Sequence, residues 1–174
     1  EEANGIDSLK KFINNIFSFF SVLIVAVSVI AFFLMSTLST LLFKGFSSQA
    51  LSEVIFISRI LLLSPIILGF SNLFGSLTQA YSRFTIYALA PLLYNAGIII
   101  GIILLAERMG IMGIAIGVIF GALLHALIQV PFVVASGLFP RPALNLDLGS
   151  IKRVMSISLP RTLTLSMTHL STIF

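Results

Sequence analysis

Long apolar runs separated by short polar stretches form the dominant pattern of this chain. Residues 12–43 carry no charge, and three further apolar runs cover residues 54–80, 84–106 and 109–139. The charged residue Arg59 lies within the second run. A helix needs about 20 apolar residues to cross the hydrocarbon core of a bilayer. The pattern therefore predicts four membrane-spanning helices, the last of which ends near residue 136.

A fifth helix is predicted at the end of the sequence. Ser150 has the side chain of an N-cap, which accepts a hydrogen bond from a first-turn amide, and an apolar pattern continues from there to residue 174. The preceding stretch contains Pro140 and Pro142, which break helices. The predicted fold class is an all-α polytopic membrane protein that crosses the bilayer about five times, as an internal fragment of a longer protein.

Composition supports this interpretation. Hydrophobic residues make up 58% of the chain and charged residues 9%, whereas soluble domains carry about 25% charged residues. Strands of a transmembrane β-barrel are about 10 residues long and alternate in polarity, unlike these runs. Cysteine is absent, which excludes a disulfide framework and thiolate chemistry. With Glu107 and Asp147 predicted in loops, the sequence offers no intramembrane carboxylate pair, enzyme site, metal site or cofactor site.

The distribution of basic residues predicts the orientation in the membrane. Because consecutive helices alternate in direction, the segment before the first helix shares a side with the second-to-third and fourth-to-fifth connections. That side holds six basic residues, Lys10, Lys11, Arg83, Arg141, Lys152 and Arg153. The other side holds Lys44 and Arg108, with Arg59 nearby but inside the second helix. Loops rich in lysine and arginine face the cytoplasm. The start of the chain is therefore predicted to be cytoplasmic, and the net charge of +4 indicates membrane topology rather than nucleic-acid binding.

Two of the predicted helices carry glycines spaced by four residues. The fourth has Gly113, Gly117 and Gly121, and the third has Gly97 and Gly101. Small residues at this spacing let helix backbones approach closely in lipid. The pattern predicts tight helix packing, and the alternative is a surface on which helices slide during a conformational change. A phosphate-binding loop is excluded, because no Lys-Ser/Thr pair follows the glycines.

The third helix contains a proline and an asparagine one turn apart. Polar residues inside a membrane are costly and are functional candidates. Pro91 removes a backbone donor and crowds the carbonyl of Tyr87, four residues earlier. Asn95 is placed to hydrogen-bond across this break or to a neighbouring helix. The pair is interpreted as a structural hinge, and direct contact with a substrate is the alternative.

The other intramembrane polar candidates are a histidine–glutamine pair and an arginine. His125 and Gln129 lie four residues apart, hence on one face of the fourth helix. Two residues are too few for a metal site, so the pair is predicted to bond between helices or to line a cavity. Arg161 follows Pro160 and lies about 12 Å along the helix from Arg153, at 1.5 Å per residue. It is either an interface anchor or a cavity residue, whose planar fork would bind phosphate or carboxylate.

Four stretches, residues 59–65, 82–95, 121–131 and 159–161, have a sequence, order and spacing that resemble one known family. The most specific element is the step from Arg83 to Phe84, followed by Ala90-Pro91 and then Asn95. Together the stretches resemble the MurJ/MviN family of lipid II flippases, and the likeness covers nearly the whole chain.

The resemblance implies the fold of the multidrug/oligosaccharidyl-lipid/polysaccharide exporter superfamily, a 14-helix arrangement of two six-helix lobes around a central cavity with two extra helices. Residues 1–136 would hold family helices three to six of the N-terminal lobe, residues 137–150 a cytoplasmic connector, and residues 151–174 the start of the second lobe with a truncated seventh helix. The best-known essential arginines of the family lie on its first, second and eighth helices. No position of this sequence matches them, and Arg161 is not one of them.

The resemblance also implies a function, which is export of a lipid-linked peptidoglycan precursor across the bacterial cytoplasmic membrane by alternating access. The implied partners are this precursor, membrane lipids and the remainder of the same chain, with no cofactor. The alternatives are a polysaccharide-precursor flippase or a multidrug/cation antiporter of the same superfamily, or a structural membrane subunit that transports nothing. Arginines in the cavity would favour a pyrophosphate lipid as substrate, whereas acidic cavity residues would favour a cation antiporter.

Overall fold

The computed structural model describes residues 2–143 and 146–171. Within these ranges every regular element is an α-helix, so the predicted all-α fold class is confirmed. In chain order the helices are α1 (Glu2–Leu42), α2 (Ser48–Leu61), α3 (Leu63–Ala80), α4 (Phe84–Met109), α5 (Ile111–Leu127), α6 (Val130–Ala135) and α7 (Leu148–Ser171).

Four stretches of the described residues are long and apolar enough to cross a membrane. They are Gly5–Leu42, Ser48–Ala80, Phe84–Met109 and Ile111–Ala135. These stretches coincide with the four apolar runs of the sequence, so the predicted polytopic membrane architecture is confirmed. The fifth predicted segment is also helical, as α7, but the part of it that is described is not among these four candidate spans.

Two of the spans consist of two helices each, α2 with α3 and α5 with α6. A proline lies in the first turn of the second helix in both cases, Pro65 in α3 and Pro131 in α6. Proline is tolerated there, because a first-turn N–H has no intrahelical partner. Pro91 differs, since it lies inside α4, which continues through it.

Two helix ends differ from the sequence-based prediction. Helix α4 continues to Met109, so Glu107 lies in its last turn rather than in a loop. Helix α7 begins at Leu148, and the carboxylate that accepts hydrogen bonds at its start belongs to Asp147. Aspartate satisfies first-turn donors as well as serine does. The predicted N-cap at Ser150 is therefore wrong.

The chain divides into two compact units. Unit 1 comprises Glu1–Phe20 and Pro140–Phe174, and unit 2 comprises Ser21–Phe139. Helix α1 belongs to both, because it runs without a break over the boundary between them. Unit 1 thus contains the start of α1 and the whole of α7, and unit 2 contains the rest of α1 with α2–α6.

Short turns join the helices of unit 2. Gly110 alone links α4 to α5, with φ of 58° and ψ of −137°, a conformation that glycine adopts far more readily than other residues. Between α3 and α4, Ser82 has a left-handed φ of 57°, and the Arg83 N–H donates to the Thr78 carbonyl at 2.8 Å. These turns bring consecutive helices side by side with almost no intervening loop.

Helices α4 and α5 form the most extensive helix–helix contact of unit 2. A Cβ atom added to Gly117 would lie 2.7 Å from Gly101 Cα, and one added to Gly97 would clash with the Gly121 backbone. A Cβ on Gly113 would lie 2.5 Å from the carbonyl carbon in the facing turn of α4. The two glycine series therefore face each other across this contact, where a larger side chain would force the backbones apart.

Candidate functional site

Unit 2 contains a cluster of polar side chains among apolar helices. It joins Ser71 of α3, His125 of α5 and Gln129 at the break between α5 and α6. Gln129 Nε2 donates to Ser71 Oγ at 2.7 Å, and Ser71 Oγ lies 2.6 Å from His125 Nδ1. Ser71 and Gln129 are both fully buried. Side-chain hydrogen bonds thus connect α3 to the end of α5.

The position of Gln129 follows from the helix break. Its backbone N–H donates to the Ala126 carbonyl, three residues earlier, at 3.1 Å. The His125 carbonyl therefore does not receive the i+4 amide of a regular α-helix. Gln129 Nε2 donates to that carbonyl instead, at 2.9 Å. The side chain replaces the lost backbone bond, as a helix break within a membrane requires.

Gln129 Nε2 donates to Ser71 Oγ, and the Ser71 hydroxyl shares a second hydrogen bond with His125 Nδ1. The tautomer of the imidazole sets the direction of that second bond: Nδ1 accepts when the ring proton is on Nε2, and donates when it is on Nδ1. The ring of Tyr94 on α4 meets the His125 ring edge-on, with the ring centroids 6.5 Å apart. Helix α4 therefore also contacts the cluster.

One buried atom of the cluster has no hydrogen-bond partner among the described residues, Gln129 Oε1. It faces Gly75 of α3. A Cβ atom added to Gly75 would lie 3.0 Å from Gln129 Oε1 and 3.4 Å from Tyr87 Cδ2. The absence of a side chain at position 75 thus provides the space that the Gln129 amide occupies.

The chemistry open to this cluster is hydrogen bonding and proton exchange. Serine and glutamine supply neutral donors and acceptors, and histidine is the group that can take up a proton. In the part of the chain that the structure describes, no group of three or more His, Cys, Asp or Glu side chains is placed to hold a metal ion.

The other predicted residues lie outside this cluster. Pro91 and Asn95 are exposed on α4. Arg161 is exposed on α7 in unit 1. The structure brings His125 and Gln129 together as their spacing indicates, while the hinge, substrate and anion-binding roles of the other three residues stay predictions.

Sequence reasoning does not single out Ser71 or Tyr94. Serines recur along the apolar runs, as is common in membrane helices, and Ser71 and His125 are 54 positions apart in the sequence, so no local pattern connects them. Only the packing of α3 against α5 brings the two side chains together. The sequence does contain one indication of a role for Ser71: it is a polar residue within an apolar run, where a polar side chain needs a hydrogen-bond partner.

Arg59 is the charged residue of the second apolar run. Its Nε donates to the Phe32 carbonyl of α1 at 3.3 Å, and its guanidinium carbon lies 4.7 Å from the centre of the Phe32 ring. These contacts border a groove of about 620 Å³ with mostly apolar walls, including Val29, Phe33 and Phe56. Arg59 thus joins α2 to α1 through a backbone oxygen and an aromatic face.

The fold and the cluster define a polytopic α-helical membrane protein that holds polar groups between apolar helices. The sequence matches the family model of lipid II flippase MurJ over residues 1–174. The chain therefore belongs to the MurJ family of lipid II flippases, which confirms the resemblance seen in the sequence. The family is one of transporters. No curated protein gives a match to the sequence.

Proposed function

We propose that this chain forms part of a flippase that moves lipid II, a lipid-linked peptidoglycan precursor, across the bacterial cytoplasmic membrane. The family match over residues 1–174 carries the proposal. The four apolar spans supply the membrane scaffold that such a protein needs. The polar headgroup of the substrate cannot cross hydrocarbon unshielded, so the protein must surround it. This shielding requires no covalent catalysis.

Transport in this proposal follows alternating access, in which two lobes rock around a polar cavity. Residues 1–136 belong to the N-terminal lobe, residues 137–150 connect the lobes, and residues 151–174 begin the second lobe. The start of α1, the α3–α4 turn and the connector face the cytoplasm, because basic residues accumulate on that side. The substrate contacts this protein and the surrounding membrane lipids.

Two features of unit 2 take distinct parts in this mechanism. The hydrogen bonds of Ser71, His125 and Gln129 hold α3 and α5 together while the lobes move. Pro91 and Asn95 act as a hinge in α4, because proline weakens the hydrogen-bond ladder of the helix that contains it.

Replacement in living cells tests this function. A bacterial strain is depleted of its own lipid II flippase and supplied with the full-length protein that contains this chain. Lipid II on the outer leaflet is then measured with an enzyme that cannot enter the cytoplasm. Recovery of outer-leaflet lipid II is expected. If the full-length protein is inserted and abundant while lipid II stays on the inner leaflet, the proposed function is wrong.

A further inference from the structure

In unit 1, the segment that follows Pro140 is held by side chains from the start of α1. Asn14 Oδ1 accepts from the Arg141 N–H at 2.7 Å, and Ser18 Oγ accepts from the Ala143 N–H at 2.7 Å. We call the described residues 141–143 and 146–147 the docked segment. They form no helix or strand, so these side chains supply acceptors that secondary structure would otherwise provide.

Asn15 holds the other end of the docked segment through both atoms of its amide. Asn15 Oδ1 accepts from the Asp147 N–H at 2.7 Å, and Asn15 Nδ2 donates to the Asp147 carbonyl at 2.9 Å. Asn15 is 5% exposed and Ser18 is 8% exposed. A buried polar group that loses its partner costs more free energy than the bond itself contributes. Detachment of the docked segment would break all of these hydrogen bonds together.

Asp147 transmits this attachment to α7. Its carboxylate accepts hydrogen bonds from the Gly149 N–H and the Ser150 hydroxyl. The Ser150 hydroxyl, followed by the backbone N–H groups of Gly149 and Ser150, lowers the pKa of the Asp147 carboxyl, which favours the charged form that suits a helix N-terminus. Asn15 thus holds the backbone of Asp147, and the Asp147 side chain in turn accepts hydrogen bonds from the first residues of α7.

The length of α1 explains how it reaches this segment. At 41 residues the helix is about 60 Å long, roughly twice the thickness of a hydrocarbon core. Its first turns can therefore lie outside the apolar region and bind a polar segment there. Asn14, Asn15 and Ser18 share one face of the helix, because residues three and four positions apart are neighbours on its surface.

We propose that Asn14, Asn15 and Ser18 are positioning residues that keep the docked segment on α1 throughout the transport cycle. The start of α1, the docked segment and the start of α7 then move as one body. This inference rests on the proposed flippase function, since it concerns the movements of transport. The alternative is that the docked segment detaches from α1 in every transport cycle.

A reversible cross-link tests the proposal in the full-length protein. Cysteines replace Asn14 and Arg141 in an otherwise cysteine-free protein, and a short bifunctional thiol reagent with a cleavable centre joins them. Lipid II movement is measured in proteoliposomes before cross-linking, after it, and after cleavage. We expect the cross-linked protein to flip lipid II within about twofold of the rate of the unaltered protein, because the cross-link takes the place of the hydrogen bond that Asn14 makes to the Arg141 N–H. If the cross-link stopped lipid II flipping and cleavage of the reagent restored it, the docked segment would have to detach during transport, which would overturn the proposal.

A second variant separates positioning from folding. Asn15→Ala removes both bonds to Asp147 and is expected to lower flipping per inserted molecule by about tenfold. The cross-link between positions 14 and 141, added after folding, should restore flipping, which it could not do if Asn15 mattered only for insertion. Asn72→Ala, at an exposed asparagine of α3, is the matched control. Normal flipping by Asn15→Ala, or no rescue by the cross-link, would overturn the proposal.

If Asn15→Ala fails to insert, the cross-link in the protein with unaltered Asn15 decides alone whether the docked segment stays on α1.

The failure of this inference can also be told apart from the failure of the flippase function. If the parent protein does not move lipid II at all, the flippase function fails. The docked state is then still tested by the cross-linking yield, which Asn15→Ala should lower and Asn72→Ala should leave unchanged.

Discussion

Gln129 connects the end of α5 to α3 with one amide group. Its Nε2 donates both to the His125 carbonyl and to Ser71 Oγ, while its Oε1 occupies the space beside Gly75. A leucine of similar size would fill this volume but would donate to neither oxygen. The residue therefore matters for its hydrogen bonds more than for its bulk.

We expect Gln129→Leu to lower the free energy of unfolding by about 1–3 kcal/mol, the range for buried polar groups that lose their partner. The measurement is denaturant unfolding of the full-length protein in detergent. Gln79→Leu is the control, because Gln79 is exposed at the end of α3. Equal stability of the two variants would show that the cluster contributes nothing to folding.

The polar cluster also shows how far single residues can be predicted from sequence. The spacing of His125 and Gln129 places them on one face of a helix, and the structure has them in one hydrogen-bonded group. Ser71 completes the group from another helix, and nothing near it in the sequence indicates this. Local periodicity predicts which residues share a helix face, but the partner on the neighbouring helix depends on tertiary packing.

Among the helices, the contact of α4 with α5 depends on glycine. Gly117 and Gly101 approach so closely that a Cβ on either would meet the backbone of the other helix. We expect Gly117→Leu to destabilise the full-length protein by about 1–3 kcal/mol or more, as overpacking does, and to reduce the folded yield in detergent. Gly45→Leu is the control, since a Cβ there meets nothing within 4 Å. Equal yield and thermal stability of the two variants would contradict the close contact.

Helix α4 also contains the proposed hinge. Pro91→Ala restores a backbone donor and stiffens the helix, and Asn95→Leu keeps similar bulk without the polar group. We expect each to lower lipid II flipping by about tenfold while the full-length protein stays inserted and abundant. Ile99→Ala, at an exposed position of the same helix, is the control. A loss of protein that fully accounts for lost flipping would make the pair structural, and normal flipping would remove it from the mechanism.

The helices themselves are easier to predict than their ends. The apolar runs predict all four candidate spans, because burial in lipid demands long uninterrupted apolar segments. The end of α4 and the start of α7 are misplaced by two or three residues in the sequence-based reading. The end of α4 is hard to predict because charged residues are compatible with a last helical turn. The start of α7 is hard to predict because Asp147 and Ser150 are both suitable N-caps, and residue type alone does not decide which of the two is used.

At the scale of the whole molecule, the orientation proposed from the basic residues is directly testable. Single cysteines at positions 45 and 146 of the cysteine-free chain lie on opposite sides of the membrane in this account. In whole cells, an impermeant thiol reagent should label Gly45→Cys and not Leu146→Cys, and both should react after the membrane is opened. If Leu146→Cys alone were labelled in intact cells, the orientation of the protein in the membrane would be the opposite of the one proposed.

The central claim is that the protein containing this chain moves lipid II between leaflets. Purified full-length protein is placed in liposomes with lipid II that carries a fluorescent headgroup label, and an impermeant quencher measures the protected inner pool over time. A phospholipid with the same label is the control. The account predicts that the protein lets the quencher reach nearly all of the lipid II while the labelled phospholipid stays protected. Lipid II that remains protected, or equal movement of both lipids, would contradict it.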